Sequence, residues 1–368
     1  MTISSSSSGP GASRVRAAVV SAGAGPVFLK WAWLVLAGLT WLLSVNPQRS
    51  EGADIAPGLR VDVVATGVPR PIELALDAGG RLVVLSAGWS GDSAGEVYRL
   101  DLHSGLPIDA ARVPRVVIPF ADESRKTVFG SLAVDPSSGD LLLGEENGNR
   151  IYRLRVDHQL EAVIVGLNHL LGGTSLTVDG RGRLIFLDYE SLVTHLRSES
   201  PLPPSLSWLV EEGYRGPLVF RIDLHEDRPL PRRADLLIPI LPRAETPRAD
   251  REPKWRLISV AAAQGDELIL LSSVGEVFRL GTDGELRLVV RLPAGHYHRT
   301  NLTTGPDGSI FVCAGYQIRQ IFRISPAGNV SIVASALGDP GGIVVDSEGV
   351  LYVPEAALHR IIRIAPNR

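Results

Sequence analysis

The sequence predicts an all-β fold, a six-bladed β-propeller over residues 59–368, preceded by an N-terminal transmembrane or signal helix. Three observations predict the propeller. One pattern of strand, tight turn, strand, variable loop and strand recurs six times. The last copy lacks the outer strand that follows most of the others. A spare strand, LRVDVVAT at 59–66, stands ahead of the first copy. In a closed ring the spare strand would complete the last blade by pairing with its third strand. That pairing removes exposed sheet edges and ties the ends of the fold together.

In chain order, residues 1–26 are rich in Ser, Gly and Ala, with Arg14 and Arg16 as the only charges. They offer no apolar face to bury and are expected to be a disordered cytoplasmic tail. Residues 27–45, VFLKWAWLVLAGLTWLLSV, carry one charge, Lys30, and are apolar on all sides. This is a signal anchor or a signal peptide. Arg14, Arg16 and Lys30 precede its uncharged part, Trp31 to Val45, whereas Arg49 and then Glu51 and Asp54 follow it. The positive-inside bias therefore exports everything downstream, leaving the protein membrane-anchored through 27–45 or free in a periplasmic or extracellular space. Residues 46–58 are a linker. A formal charge of −3 gives no electrostatic case for nucleic acid. The single cysteine, Cys313, excludes an internal disulfide and any multi-cysteine metal site.

The first copy begins at Glu73 with LALDAGGRLVVLSAG and ends in GEVYRLDL. The second and third run from Ser131 to YRLRV and from Ser175 to VFRIDL. The fourth, fifth and sixth start at Ser259, Asn301 and Gly342 and end in VFRL, IFRI and IIRI. β-Branched, alternating segments make these strands, and the Asp/Gly and Gly/Gly pairs make tight turns. Outer strands are RVVIPF, EAVIVGL, DLLIPI, LRLVVRL and VSIVASA. The third copy carries an insertion at 191–216, with a proline-opened turn and a short helix bearing Trp208, and a Pro- and Arg-rich connection follows at 242–253. Loops of this length are uncommon unless functional.

In a propeller the innermost strands line a central channel. The register of the copies puts Glu73, Ser131, Ser175, Ser259, Asn301 and Gly342 at its entrance. This ring is polar where a structural plug would be aliphatic. Acidic residues Glu145, Glu146, Asp188 and Glu355 fall on loops of the same face. If Glu145 or Asp188 pointed inward beside Glu73, repulsion would raise one carboxyl's pKa. Trp89 and Trp208 are expected either to anchor a partial lid over a small organic ligand or to pack an Ω-loop on the propeller rim. No G-x-S-x-G elbow is present to support a serine hydrolase triad.

The phrase GIVVDSEGVLYV followed by RIIRI resembles an NHL-type repeat. The whole array resembles the six-bladed propeller superfamily of NHL-repeat, gluconolactonase/senescence-marker, paraoxonase and strictosidine synthase-like proteins. The resemblance implies a calcium ion on the channel axis, held by Glu, Asn and Asp at strand starts. Glu73 and Asn301 carry over as metal ligands. Thr300 stands where several relatives carry Asp, and Ser175 and Ser259 where they carry Asn. The segment GHYHRTN before TTGPDGSIFVCAG is similar to the soluble sugar dehydrogenases that use pyrroloquinoline quinone. That likeness implies His298 as base and Arg299 as its anion partner.

Three functions stay open. One is a metal-assisted, lactonase- or esterase-like hydrolase with Glu73 and His298 catalytic and Ser131, Ser175, Ser259, Arg299, Trp89 and Trp208 binding the ligand. The second is a non-catalytic propeller that binds a ligand or a cell-envelope partner. The third is the quinone-dependent dehydrogenase.

Overall fold

The computed structural model describes residues 53–367 except 89–91, 121–127, 147–148, 168–174, 189–203, 208–216, 227, 235–236, 241–255, 298 and 316. The expected tail and apolar segment 27–45 thus lie outside the described residues, as do Trp89, Trp208 and His298. Among the described residues no helix is long and apolar enough to cross a membrane.

Six sheets are present, one per sequence copy. Blade 1 runs from its innermost strand Pro71–Leu76 through Leu82–Ser86 and Gly95–Leu100 to Arg115–Ile118. Blades 2, 4 and 5 begin at Val128–Val134, Leu257–Ala262 and Thr300–Thr304 and repeat that antiparallel order. Among the described residues blade 3 begins at Leu176–Val178 and has three strands, and Ile240 of DLLIPI makes an isolated bridge to Val219. Blade 6 begins at Val344–Val345, and its third strand, Arg360–Pro366, pairs antiparallel with Leu59–Thr66. The ring is therefore closed by the spare strand. Innermost strands touch in the sequence 1 to 6 and back to 1.

The stretch expected to be linker is partly structured. Asp54–Ile55 adds to the outer edge of blade 5, pairing with Ser335 and Ala334. An outer propeller edge leaves backbone donors and acceptors unpaired, and a passing segment satisfies them. Arg232–Arg233 does the same for blade 2 and Ile108–Asp109 for blade 6.

The core lies in wedges between neighbouring blades. Between blades 2 and 3, Leu142, Ile151 and Val163 meet Leu184, Phe186 and Phe220. Between blades 3 and 4, Ile185, Leu187 and Val219 meet Val260, Leu268 and Leu270. A second strand is covered by a blade on each face, so Leu82–Ser86, Leu268–Ser272 and Ile310–Ala314 are buried at every position. This explains the unbroken apolar runs LVVLS, LILLS and IFVCA, where a one-sided sheet would alternate.

The arginine that ends each copy also has a structural cause. Arg279 and Arg323 reach back to acids in the turn between their blade's first two strands, Glu267 at 2.6 Å and Asp307 at 2.8 Å. Arg99 and Arg221 also donate to the next blade, at Gly139 O (3.2 Å) and Asp266 O (2.7 Å). In blade 6 the equivalent Arg363 pairs with Asp62 of the closing strand at 3.0 Å. Both partners are about a third exposed, so Arg363→Ala is expected to cost under about 1 kcal/mol in denaturant unfolding. A loss of several kcal/mol would mean that the ion pair, rather than the ladder and the burial of Val64 and Ala65, closes the ring.

Candidate functional site

A cavity of about 420 Å³ opens at the end of the channel where the innermost strands begin. Five of the six register positions, Glu73, Ser131, Ser175, Ser259 and Asn301, line it. The sixth, Gly342, abuts it. Strand geometry accounts for the convergence, because equivalent starts of radially arranged strands must surround one axis.

The polar ring is hydrogen-bonded across blades. The Asn301 amide Nδ2 donates to Glu73 Oε2 at 2.8 Å. Its carbonyl Oδ1 accepts from the Leu302 N–H at 2.7 Å and from Ser259 Oγ at 3.4 Å, which fixes the amide's orientation. Ser175 Oγ accepts from the Val260 N–H at 3.0 Å. Glu73 and Asn301 belong to blades 1 and 5, and they meet because blade 6 contributes no side chain between them. A Cβ on Gly342 would lie 2.4 Å from Glu73 Oε2. Blade 6 is joined to blade 1 here by Gly342 N–H donating to Ile72 O at 2.8 Å.

Burial pushes the Glu73 carboxyl up to about 8, against the opposing pull of the Asn301 amide and the Leu74 N–H. A carboxyl 9% exposed loses most of the water that would stabilise its charge. Near neutral pH it is mainly a neutral acid. The cause is desolvation and not the neighbouring acid considered from sequence. Glu145 accepts from the Asn149 N–H at 3.2 Å, and neither it nor Asp188 lines the cavity. Glu355 accepts from Arg360 Nε at 2.6 Å and the Gly338 N–H at 2.7 Å, holding a loop in place.

Apolar wall is supplied by Ile72, Leu132, Leu176, Ile258 and Val274, and the rim carries Arg256, His296, Arg299, Glu146 and Asp339. Arg299 Nη2 donates to Glu146 Oε1 at 2.8 Å. Arg256 and Asp339 were not singled out from sequence. Each sits three residues before its blade's register position, Ser259 or Gly342, so extending the register outward would have found both. The same offset from Asn301 is His298.

Calcium takes six to eight oxygen ligands. Of the three carboxylates that line the cavity, Glu146 is paired with Arg299, and the amide beside Glu73 presents nitrogen rather than oxygen to it. Among the described residues no three His, Cys, Asp or Glu converge. Glu73 and Asn301 are brought together as a hydrogen-bonded pair, and this donor set does not fit calcium.

No protein-family model matches the sequence, and no curated protein matches it. Solved structures do. A gluconolactonase from Xanthomonas campestris is similar at 16% identity and TM-score 0.53, covering 86% of this chain and 95% of its own. Virginiamycin B lyase from Staphylococcus aureus is similar at 14% identity and TM-score 0.52, with coverages of 84% and 99%. A calcium structure of a Trichoderma reesei carbohydrate-active enzyme of family AA12 is similar at 11% identity and TM-score 0.56, with coverages of 88% and 100%. Likeness at this level is one of fold alone; the six sheets of this chain make it a six-bladed β-propeller.

Proposed function

We propose that the protein is a small-molecule hydrolase acting on a lactone or ester, with Glu73 as its acid. The observation that carries this reading is a carboxyl held neutral by burial in a mixed polar and apolar cavity and held in place by the Asn301 amide. A neutral carboxyl can donate to a carbonyl oxygen or protonate a departing alkoxide, which a surface carboxylate cannot do near neutral pH. Water adds to the carbonyl carbon, its proton passes to an imidazole, the C–O bond breaks, and Glu73 protonates the leaving oxygen. His296 lines the cavity rim; His298 remains the base expected from sequence. The cavity volume suits a small organic ligand. The three similar structures, a gluconolactonase, a lyase and a carbohydrate-active enzyme, support an enzyme on this scaffold in a general way.

A panel of lactones and esters tests the proposal. Hydrolysis is expected to require the protonated form of Glu73 and so to fall as pH rises through about 8. Asn301→Ala is expected to shift that limb and lower kcat about tenfold or more. Chelator and added calcium are expected to change neither rate nor thermal midpoint. Saturable binding of panel members with no turnover would instead establish the binding-module reading, which the mutual hydrogen bond of Glu73 and Asn301 also accommodates. Export through residues 27–45 is part of the proposal; recovery of the full chain in a cytosolic fraction would remove it.

A further inference from the structure

We propose that the Arg299–Glu146 ion pair is a strap across the cavity mouth, whose parting controls entry to the Glu73 site. Arg299 lies in the turn leading into blade 5, and Glu146 ends the second strand of blade 2. Blades 2 and 5 face each other across a ring of six, so a 2.8 Å contact between them spans the channel axis. Both residues line the cavity that holds Glu73 and Asn301. The pair joins residues 153 positions apart and links opposite blades directly through their side chains.

The root of the strap is rigid and its tip is not. Arg299 has φ +50, a left-handed conformation that an arginine adopts only when its surroundings impose it. Its carbonyl packs where a Cβ on Gly315 would come within 2.9 Å, and Pro340 O lies on the same glycine at 2.3 Å from that position. Glycine is thus required for the close approach that fixes the Arg299 backbone. The guanidinium, by contrast, is largely exposed, with the Arg299 side chain at 68% and Glu146 at 21%. An exposed pair of this kind is weak and screened by salt. It closes the mouth at rest and yields to a ligand that enters, without moving the backbone.

This inference rests on the cavity being a ligand site, as proposed above, but its test needs no substrate. Ser175 lines the cavity and faces the channel, and the single native thiol, Cys313, is fully buried. Ser175→Cys therefore supplies a reporter thiol inside the cavity, titrated with iodoacetamide and with a bulkier maleimide. Glu146→Gln and, separately, Arg299→Gln in the Ser175→Cys protein are each expected to raise the labelling rate about two- to fivefold, the span set by a weak exposed ion pair. The gain should be larger for the maleimide. Raising salt from 0.05 to about 1 M should raise labelling in the Ser175→Cys parent but not in either strap variant. Equal rates in parent and variants at low salt, or the same salt response in all three, would overturn the strap. If Ser175→Cys folds poorly, Ser131→Cys reports on the same cavity. Labelling that responds as expected while no panel compound is hydrolysed supports the strap and counts against the hydrolase alone.

Discussion

Glu73→Gln is expected to make the protein more stable, by an amount that grows with pH, while abolishing hydrolysis. The unfolded carboxyl ionises near its ordinary value of 4.5, whereas burial holds the folded one up to about 8. Below the lower value both states carry the proton, and the glutamate costs nothing relative to glutamine. Between the two values the unfolded chain releases its proton and the folded chain keeps it, so stability of the parent falls as pH rises. Above about 8 both states are ionised and the difference levels off. The full gap is on the order of 5 kcal/mol. Glutamine has no such titration and can still accept from Asn301 Nδ2. All other titrating groups are common to both proteins and cancel in the comparison. Urea unfolding of parent and variant from pH 4.5 to 9 reads the effect. A gap independent of pH, or a variant less stable throughout, would show that the carboxylate is stabilised in the fold, as it would be with a cation beside it. A residue whose removal stabilises the fold is the expected signature of a functional group retained at a cost to stability.

The second large effect is at the seam between blades 6 and 1. Gly341→Ala would place a Cβ 2.2 Å from Ile72 O and 3.1 Å from Ile72 C. The obstacle is backbone, so no side-chain rotation relieves it, and the two blades must separate. Separation strains the Gly342 N–H to Ile72 O hydrogen bond at the ring's closing interface. The expected cost is about 3 kcal/mol, read as a lower urea midpoint at unchanged slope. The pairing of Glu73 with Asn301 spans the same seam, so hydrolysis should fall with it. An alanine variant of parental stability would mean that the inner ends of blades 6 and 1 are not in tight contact. No conformational preference enters, because Gly341 is not among the positive-φ glycines; the glycine serves close approach alone.

Much of the candidate site was legible as positions and little of it as chemistry. Aligning the copies singled out Glu73, Ser131, Ser175, Ser259 and Asn301, and all five line one cavity. Resemblance suggested a shared cation for Glu73 and Asn301, and they turned out to be donor and acceptor to each other. Glu145 and Asp188 were candidates for raising the Glu73 pKa, yet desolvation does this without them. Arg256 and Asp339 lie three residues outside the register positions of their blades, beyond the strand pattern that marks the channel entrance.

What the sequence determined by itself is the repeat, the count of blades and the closure of the ring. These are written in local patterns: apolar runs of strand length, turn dipeptides, a missing outer strand at one end and LRVDVVAT at the other. Backbone hydrogen bonding turns such patterns into strands with little further information. Tertiary structure alone decided that Asn301 reaches Glu73 across 228 residues of chain, that Gly342 leaves the gap in which they meet, and that Arg299 crosses to Glu146. Those contacts depend on how six strand starts are spaced around an axis and on how much water is left between them. Periodicity along a single chain fixes where a residue sits in its blade, but it carries no record of which side chain stands opposite.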